Sequence, residues 1–431
     1  MAPGMTSGGG DFLKCWVSPF DSKTYVLSLR VMTDRSSFSG ENSVILAKAG
    51  ISLIVRTKRE LLLLQTSSTY GGRTTQLFVF SIFWCIMSKV MITVKLIVLP
   101  LLAAAGTLCL TPVARKFSTR FGAVDIPGGR KIHKTAVPSS GGVAIFFAFL
   151  VAILFFNRTS PEIIGYLIGA TVITGIGLLD DIFDITPVAK FFGQILATLI
   201  VIYSGVQIGF ITNPGQENVF NLGFLALPLT FFWIIGITNA VNFIDGIDGL
   251  AAGVTGIASW TLAVVALMFG RYDAGVLAFT LGAAAFAFLP YNFSNDKKIF
   301  MGDAGSNFLG YSLAVFSIMG MVKVATAFTM LLPVLVLAVP ILDTAFAIIR
   351  RLIKHKSMFE PDASHLHHRI LRLGYTHKQT SCIIYAISIV LSIIAIISTK
   401  LADGYSIFVL IGVALLLILG AWRLGLFRSE K

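Results

Sequence analysis

The stretch Leu250-Ala-Ala-Gly-Val-Thr-Gly-Ile-Ala-Ser-Trp-Thr-Leu-Ala-Val-Val-Ala-Leu-Met-Phe269 runs for twenty residues without one ionisable side chain. About 20 mostly apolar residues, rising about 1.5 Å each along a helix, cover about 30 Å of bilayer hydrocarbon, so this stretch reads as a membrane-crossing helix. Working outward, ten further runs share its character: 91–112, 142–158, 163–179, 190–209, 223–240, 274–290, 307–322, 327–350, 381–398 and 405–422. The predicted fold class is therefore all-α, a polytopic integral membrane protein with about 11 transmembrane helices. Composition agrees, because 55% of the 431 residues are hydrophobic and only 13% are charged. With a mean hydropathy of +0.84, an ordinary soluble enzyme is excluded.

The net charge of +13 invites a nucleic-acid partner, but no basic soluble domain lies between the apolar runs, so none is expected. Topology explains the excess cation better. Segments 113–141, 350–380 and 423–431, with Lys297 and Lys298, hold 18 Lys/Arg on one side of the membrane; from residue 91 onward the opposite side holds Arg158, Arg271, Lys323 and Lys400. Lys and Arg flanking a span stay on the cytoplasmic side, which places the C-terminus inside. All six histidines (His133, His355, His365, His367, His368 and His377) fall in those same inside segments. The polar chemistry is thus expected at the cytoplasmic face of an inner, plasma membrane. A transporter of anionic sugars, the alternative from a different class, would bury ionisable groups at mid-span.

Residues 1–90 form an N-terminal extension, rich in Ser, Thr, Gly and Lys/Arg, with short apolar patches at 51–54, 61–64 and 78–87 and no secretory signal pattern. It is expected to be disordered or peripheral, perched ahead of a start at Met87 or Met91. Residues 91–425 form the integral membrane domain. The four cysteines, Cys15, Cys85, Cys109 and Cys382, have no metal-ligand or disulfide spacing.

Five polar motifs interrupt the apolar pattern on the inside face. Asp125-Ile-Pro-Gly-Gly-Arg130-Lys131-Ile-His133-Lys134, followed by Pro138-Ser-Ser-Gly-Gly142, joins cations to exposed backbone N–H groups. That suits a phosphate-bearing ligand, or simple anchoring with a helix-entry turn. Asp180-Asp181-Ile-Phe-Asp184 would repel beside low-dielectric lipid unless a cation holds it, and hard carboxylate oxygens select Mg²⁺ or Mn²⁺. In Asn239-Ala-Val-Asn242-Phe-Ile-Asp245-Gly-Ile-Asp248-Gly249-Leu250, the 3- and 4-residue spacings bring Asn242, Asp245 and Asp248 to neighbouring positions if the segment is helical. Gly302-Asp303-Ala-Gly-Ser306 is weak alone and gains value from sharing the face. Last, His365-Leu-His367-His368-Arg369 suits contact with a phosphate or sugar, loop packing, or a metal, though no cysteine or distant fourth ligand supports zinc. Gly165 and Gly169 suit close helix packing, and the 35 phenylalanines mainly face lipid.

Taken in order, Asp180-Asp181, Asn239 to Leu250, Gly302 to Ser306 and His365 to His368 resemble the polyprenyl-phosphate N-acetylhexosamine-1-phosphate transferases (glycosyltransferase family 4). The resemblance covers about residue 91 to the last span. It implies transfer of a sugar 1-phosphate from a UDP-N-acetylhexosamine to undecaprenyl or another polyprenyl phosphate, releasing UMP. By that resemblance Asp303 is the first Mg²⁺ ligand, supported by Asp181 and Asp245, which with Asp180 form the catalytic set. Asp180 lies beside the lipid phosphate. Asn242 and Asp248 lie near the nucleotide, His365, His367, His368 and Arg369 near the diphosphate or sugar, and Arg130, Lys131 and His133 near an anionic group. The His-Leu-His-His form looks most like the N-acetylglucosamine branch, serving teichoic-acid linkage units, O-antigen or similar glycans. The close alternative is phospho-N-acetylmuramoyl-pentapeptide transferase. Membrane lipid is an expected partner, and a homodimer is an option for the assembly.

Overall fold

A computed structural model describes strands within residues 12–65 and then residues 73–126, 136–155, 160–212, 219–321, 327–353 and 365–401, with scattered positions between 409 and 420. The chain divides into two compact units, Met1–Met91 and Ile92–Lys431.

In the first unit, β1 (Phe12–Val17) pairs antiparallel with β2 (Tyr25–Arg30), and β3 (Leu46–Ala47), β4 (Gly50–Thr57) and β5 (Glu60–Gln65) form a three-stranded antiparallel sheet in that order. The apolar patches at 51–54 and 61–64 face each other across the β4–β5 ladder, with Leu53 opposite Leu64 and Ile54 opposite Leu63. The third patch belongs to a long helix, α1 (Arg73–Phe121).

After α1 come the two-residue strands β6 (Val124–Asp125) and β7 (Val137–Pro138), then α2 (Gly142–Leu154), α3 (Pro161–Phe183) and α4 (Pro187–Tyr203). A small hairpin of β8 (Phe210–Thr212) and β9 (Val219–Asn221) precedes α5 (Ala226–Ile244), α6 (Leu250–Met268), α7 (Tyr272–Asn292) and α8 (Gly302–Met321). The chain continues through α9 (Ala327–Val336), α10 (Ala338–Ile353), the short α11 (Leu366–Arg372) and α12 (His377–Ser398). Helix ends follow their sequence signals: Ser160, Thr186 and Thr376 cap α3, α4 and α12, and proline opens the first two.

The chain is thus an all-α, multi-pass membrane protein in which, among the described residues, six helices are long and apolar enough to span. Among the described residues the count of eleven is not confirmed. Runs 142–158 and 190–209 correspond to α2 and α4, helices of 13 and 17 residues. Run 327–350 is two helices, because Pro340 near the start of α10 has no N–H to continue the hydrogen-bond ladder from α9. Run 405–422 lies largely outside the described residues.

The core is built around α8, which packs against α2, α3, α5, α6 and α7. Small residues let backbones meet it: a Cβ on Gly142 would lie 1.9 Å from the Gly305 Cα, and one on Gly177 would lie 2.6 Å from Ala304. Gly165 and Gly169 serve the same purpose, facing Ser204 and the Tyr311 hydroxyl. The phenylalanines divide. Phe155, Phe183, Phe192 and Phe232 are exposed on the apolar outer surface, whereas Phe146, Phe149, Phe288, Phe308 and Phe316 are buried, several edge to face.

Candidate active site

The N-terminus of α8 organises the site. Three main-chain hydrogen bonds lace the 138–142 segment to the 300–301 segment: Phe300 N–H to Pro138 O, Gly141 N–H to Phe300 O and Gly142 N–H to Met301 O, each 2.8 Å. Gly302 then turns the chain with φ +72°, a conformation that glycine adopts freely. Asp181, at the C-terminal end of α3, accepts the Asp303 N–H on Oδ1 at 2.7 Å and the Ala304 N–H on Oδ2 at 3.2 Å. A carboxylate in trans thus caps the helix and meets its positive end.

Asp180 points to Lys190 in the first turn of α4, 2.8 Å away, and the same ammonium binds the Asp303 carboxylate. Three helices are thereby joined through one cation. One turn further along α4, Gln194 exchanges hydrogen bonds with Asn239 (2.8 and 3.2 Å) and donates to Asn307 (3.2 Å), which donates to the Asp303 carbonyl at 2.8 Å. Sequence reasoning missed Lys190 and Gln194. The available signal was a lysine in the first turn of an apolar helix, where the macrodipole disfavours a cation.

The motif between α5 and α6 is a turn rather than continuous helix. Asp245 caps the end of α5, and Gly249 adopts φ +75° ahead of α6. Asn242 donates to Ser306 Oγ at 2.8 Å, which ties the motif to α8. Asp248 pairs with Lys298 at 2.6 Å. The turn is fixed from behind by Ser381 on the Asp248 carbonyl (2.9 Å), Tyr385 on the Gly249 carbonyl, and Asn292, whose Oδ1 accepts the Gly249 N–H at 2.5 Å.

These groups surround a cavity of about 780 Å³ lined by, among others, Asp181, Asn242, Asp245, Asp248, Asp303 and His368, together with the cationic or titratable side chains of Lys298, His377 and Lys378. Asp180 stands just outside it, in contact with Lys190. His365 and His367 are buried and do not line it: His365 bonds Asp343, and His367 lies against Gly246. Arg369 sits on α11 beside them. Arg130, Lys131 and His133 lie outside the described residues. Asp184, the third carboxylate of its motif, ends α3 in the left-handed conformation and is exposed.

Asp245 is held well above the usual carboxylate range, at about 8, by burial first and then by the charges of Asp303, Asp181 and Asp248. Burial, and next the charge of His368, lowers His367 to about 3, so its ring is neutral at pH 7. A raised folded-state value means that Asp245 favours the fold fully below its unfolded value of about 3.9, and that this contribution disappears as pH rises through about 8. With divalent ions chelated, the melting temperature is therefore expected to fall between pH 5 and pH 8.5 by more than in Asp245→Asn. Thermal unfolding in detergent across that range checks this; a wild-type slope no steeper than the variant's contradicts it.

Asp181, Asp245 and Asp303 present hard oxygen ligands, and no sulfur or imidazole stands in that trio, which matches the preference of Mg²⁺. Among the described residues no three His, Cys, Asp or Glu side chains already converge at ligand distance. Asp303 is paired with Lys190.

Comparison with known proteins shows the family. Residues 163–321 match the model of glycosyl transferase family 4. A probable undecaprenyl-phosphate N-acetylglucosaminyl 1-phosphate transferase of Bacillus subtilis (strain 168) is 38% identical over 318 residues, 74% of this chain and 88% of its own length. The decaprenyl-phosphate N-acetylglucosaminephosphotransferase of Mycobacterium tuberculosis (strain ATCC 25618 / H37Rv) is 34% identical, over 68% of this chain and 79% of its own length. An undecaprenyl-phosphate alpha-N-acetylglucosaminyl 1-phosphate transferase of Yersinia pestis is 29% identical, over 67% and 80%. With its four motifs in order and most of such a relative's length spanned, the chain belongs to glycosyl transferase family 4, among the polyprenyl-phosphate N-acetylhexosamine-1-phosphate transferases.

Proposed function

We propose that this enzyme transfers N-acetylglucosamine 1-phosphate from UDP-N-acetylglucosamine to undecaprenyl phosphate at the cytoplasmic face of the plasma membrane, the first step of a cell-envelope glycan. The observation that carries the reading is the meeting of Asp181, Asp245 and Asp303, from three separate elements, around one cavity at the ends of apolar helices. A soluble nucleotide and a lipid-anchored phosphate can meet only at such an interface. The names and coverage of the relatives support the substrates, and the distribution of Lys and Arg supports the cytoplasmic orientation.

In the reaction, an oxygen of the lipid phosphate attacks the phosphorus that carries the sugar. The bond from that phosphorus to the bridging oxygen breaks, and UMP leaves with the electron pair. The product is a lipid diphosphate sugar. A phosphate monoester has a second pKa near about 6, so the acceptor is largely a dianion at neutral pH. Asp180, paired with Lys190, therefore positions the acceptor more than it deprotonates it. Bound Mg²⁺, held by Asp303, Asp181 and Asp245, would neutralise the diphosphate charge. Asn242 and Asp248 face the nucleotide, and His368 faces the diphosphate or sugar. Arg130, Lys131 and His133 are assigned to an anionic group of the same substrates.

Purified protein with undecaprenyl phosphate and UDP-N-acetylglucosamine is expected to release UMP with Mg²⁺ and to stop when EDTA is added. Other UDP-sugars should give less. If no UDP-sugar yields metal-dependent UMP, the assignment is wrong.

A further inference from the structure

The cavity wall formed by α11 rests on a carboxylate from a different helix. His365 is the N-cap residue of α11, and its own side chain caps nothing there. Instead Asp343 of α10, 3% exposed, reaches across. Its Oδ1 accepts the Leu366 N–H at 2.7 Å and its Oδ2 lies 2.9 Å from His365 Nδ1. A carboxylate accepting the Leu366 N–H on one oxygen has its other oxygen free to accept a hydrogen from His365 Nδ1, which the proposal below puts to the test. One buried group thus fixes both the first turn of α11 and the rotation of the ring that opens it.

The consequence passes along a stack of rings. His365 and His367 lie parallel within 5°, with centroids 5.8 Å apart, and His367 meets His368 at 4.3 Å. Neither nitrogen of the buried His367 ring has a hydrogen-bond partner, so packing alone holds it. On its other side is the backbone of Gly246, where an added Cβ would come within 2.4 Å of Nε2. The last ring of the stack, His368, lines the cavity. A change at Asp343 therefore reaches both His368 and the turn that carries Asp245, although Asp343 does not line the cavity itself.

We propose that Asp343 is a positioning residue for the transfer reaction: by capping α11 and fixing the His365 ring, it holds His368 and the Asp245–Gly249 turn in register on the UDP-sugar side of the cavity. The proposal rests on the transferase reading above.

Asp343→Asn tests it with little change of shape. The asparagine oxygen can keep the Leu366 N–H, which leaves its NH₂ facing His365 Nδ1 and drives the ring hydrogen to Nε2. Spectra of ¹⁵N-histidine-labelled protein, assigned with His365→Gln, are expected to show the Nδ1–H tautomer for His365 in the wild type and Nε2–H in Asp343→Asn. The kcat/KM for UDP-N-acetylglucosamine should fall about 10- to 100-fold, the usual cost of removing a group that orients a site residue, with the KM for undecaprenyl phosphate unchanged. The double variant Asp343→Asn/His365→Gln should lose no more than the worse single change, because both act through one contact. An unchanged tautomer, activity within about twofold of wild type, or losses that multiply would overturn the proposal. If Asp343→Asn fails to fold, His365→Gln, which leaves the Leu366 bond intact, must show the same donor-specific loss, and activity within about twofold again overturns it. Absence of UMP release from the wild type strikes the transferase reading alone; the tautomers, read without turnover, then decide the role of Asp343.

Discussion

Asp303→Asn is expected to remove UMP release, by about 10³-fold or more, which corresponds to about 4 kcal/mol of lost transition-state stabilisation. The side chain keeps its size, and Asn307 still has the main-chain carbonyl of residue 303 to hold it, so the helix start should survive. What disappears is the negative charge shared with Lys190 and offered to the cavity. Asp181→Asn should be comparably inactive for a different reason. Its two oxygens accept two N–H groups at the N-terminus of α8, and an amide can turn only one acceptor toward them. Both variants should elute as folded, monodisperse protein. Measuring UMP release from each at saturating Mg²⁺ decides the point: activity retained in both would remove these carboxylates from the chemistry.

Gly142→Ala should have the largest effect on the fold itself. A methyl group there would sit 1.9 Å from the Gly305 Cα and 2.2 Å from the Gly305 N. Both are main-chain atoms, which no rotamer change can move aside. Overfilling a packed core usually costs about 1–3 kcal/mol, and backbone against backbone lies at or beyond the upper end of that range. The start of α2 must therefore separate from α8, breaking the Gly141 and Gly142 hydrogen bonds to Phe300 and Met301. The expected result is a sharp fall in melting temperature or in recovery of monodisperse protein from detergent. Gly175→Ala, with nothing within 4 Å of its added Cβ, is the matched control. Equal behaviour of the two variants would show that the α2–α8 contact yields more than its geometry allows.

Much of the fold was legible because apolar length is a strong signal. The runs at 163–179, 250–269 and 274–290 coincide with α3, α6 and α7 to within a few residues. Where hydropathy failed, it averaged over backbone chemistry. The run 327–350 is uniformly apolar, yet a missing N–H at Pro340 divides it between α9 and α10. In the site, the acidic residues could be found because clustered carboxylates beside apolar helices need a physical excuse. Lys190 and Gln194 could not, since a lone polar residue in an apolar run acquires meaning only when folding brings Asp303 and Asn239 to it. The histidine motif shows the opposite error. Residue type suggested four ligand contacts, but Asp343, distant in sequence, pulls His365 inward and leaves His368 at the cavity.

The three main-chain bonds that lace residues 138–142 to 300–301 also constrain how turnover can proceed. A seam of backbone rungs cannot part without stranding several donors and acceptors at once, so this side of the chamber behaves as a fixed hearth rather than a door. On the α12 side, by contrast, the hydroxyls of Ser381 and Tyr385 donate singly to the Asp248 and Gly249 carbonyls, and α12 packs along α6. The 138–142 and 300–301 segments are therefore expected to keep their positions through turnover.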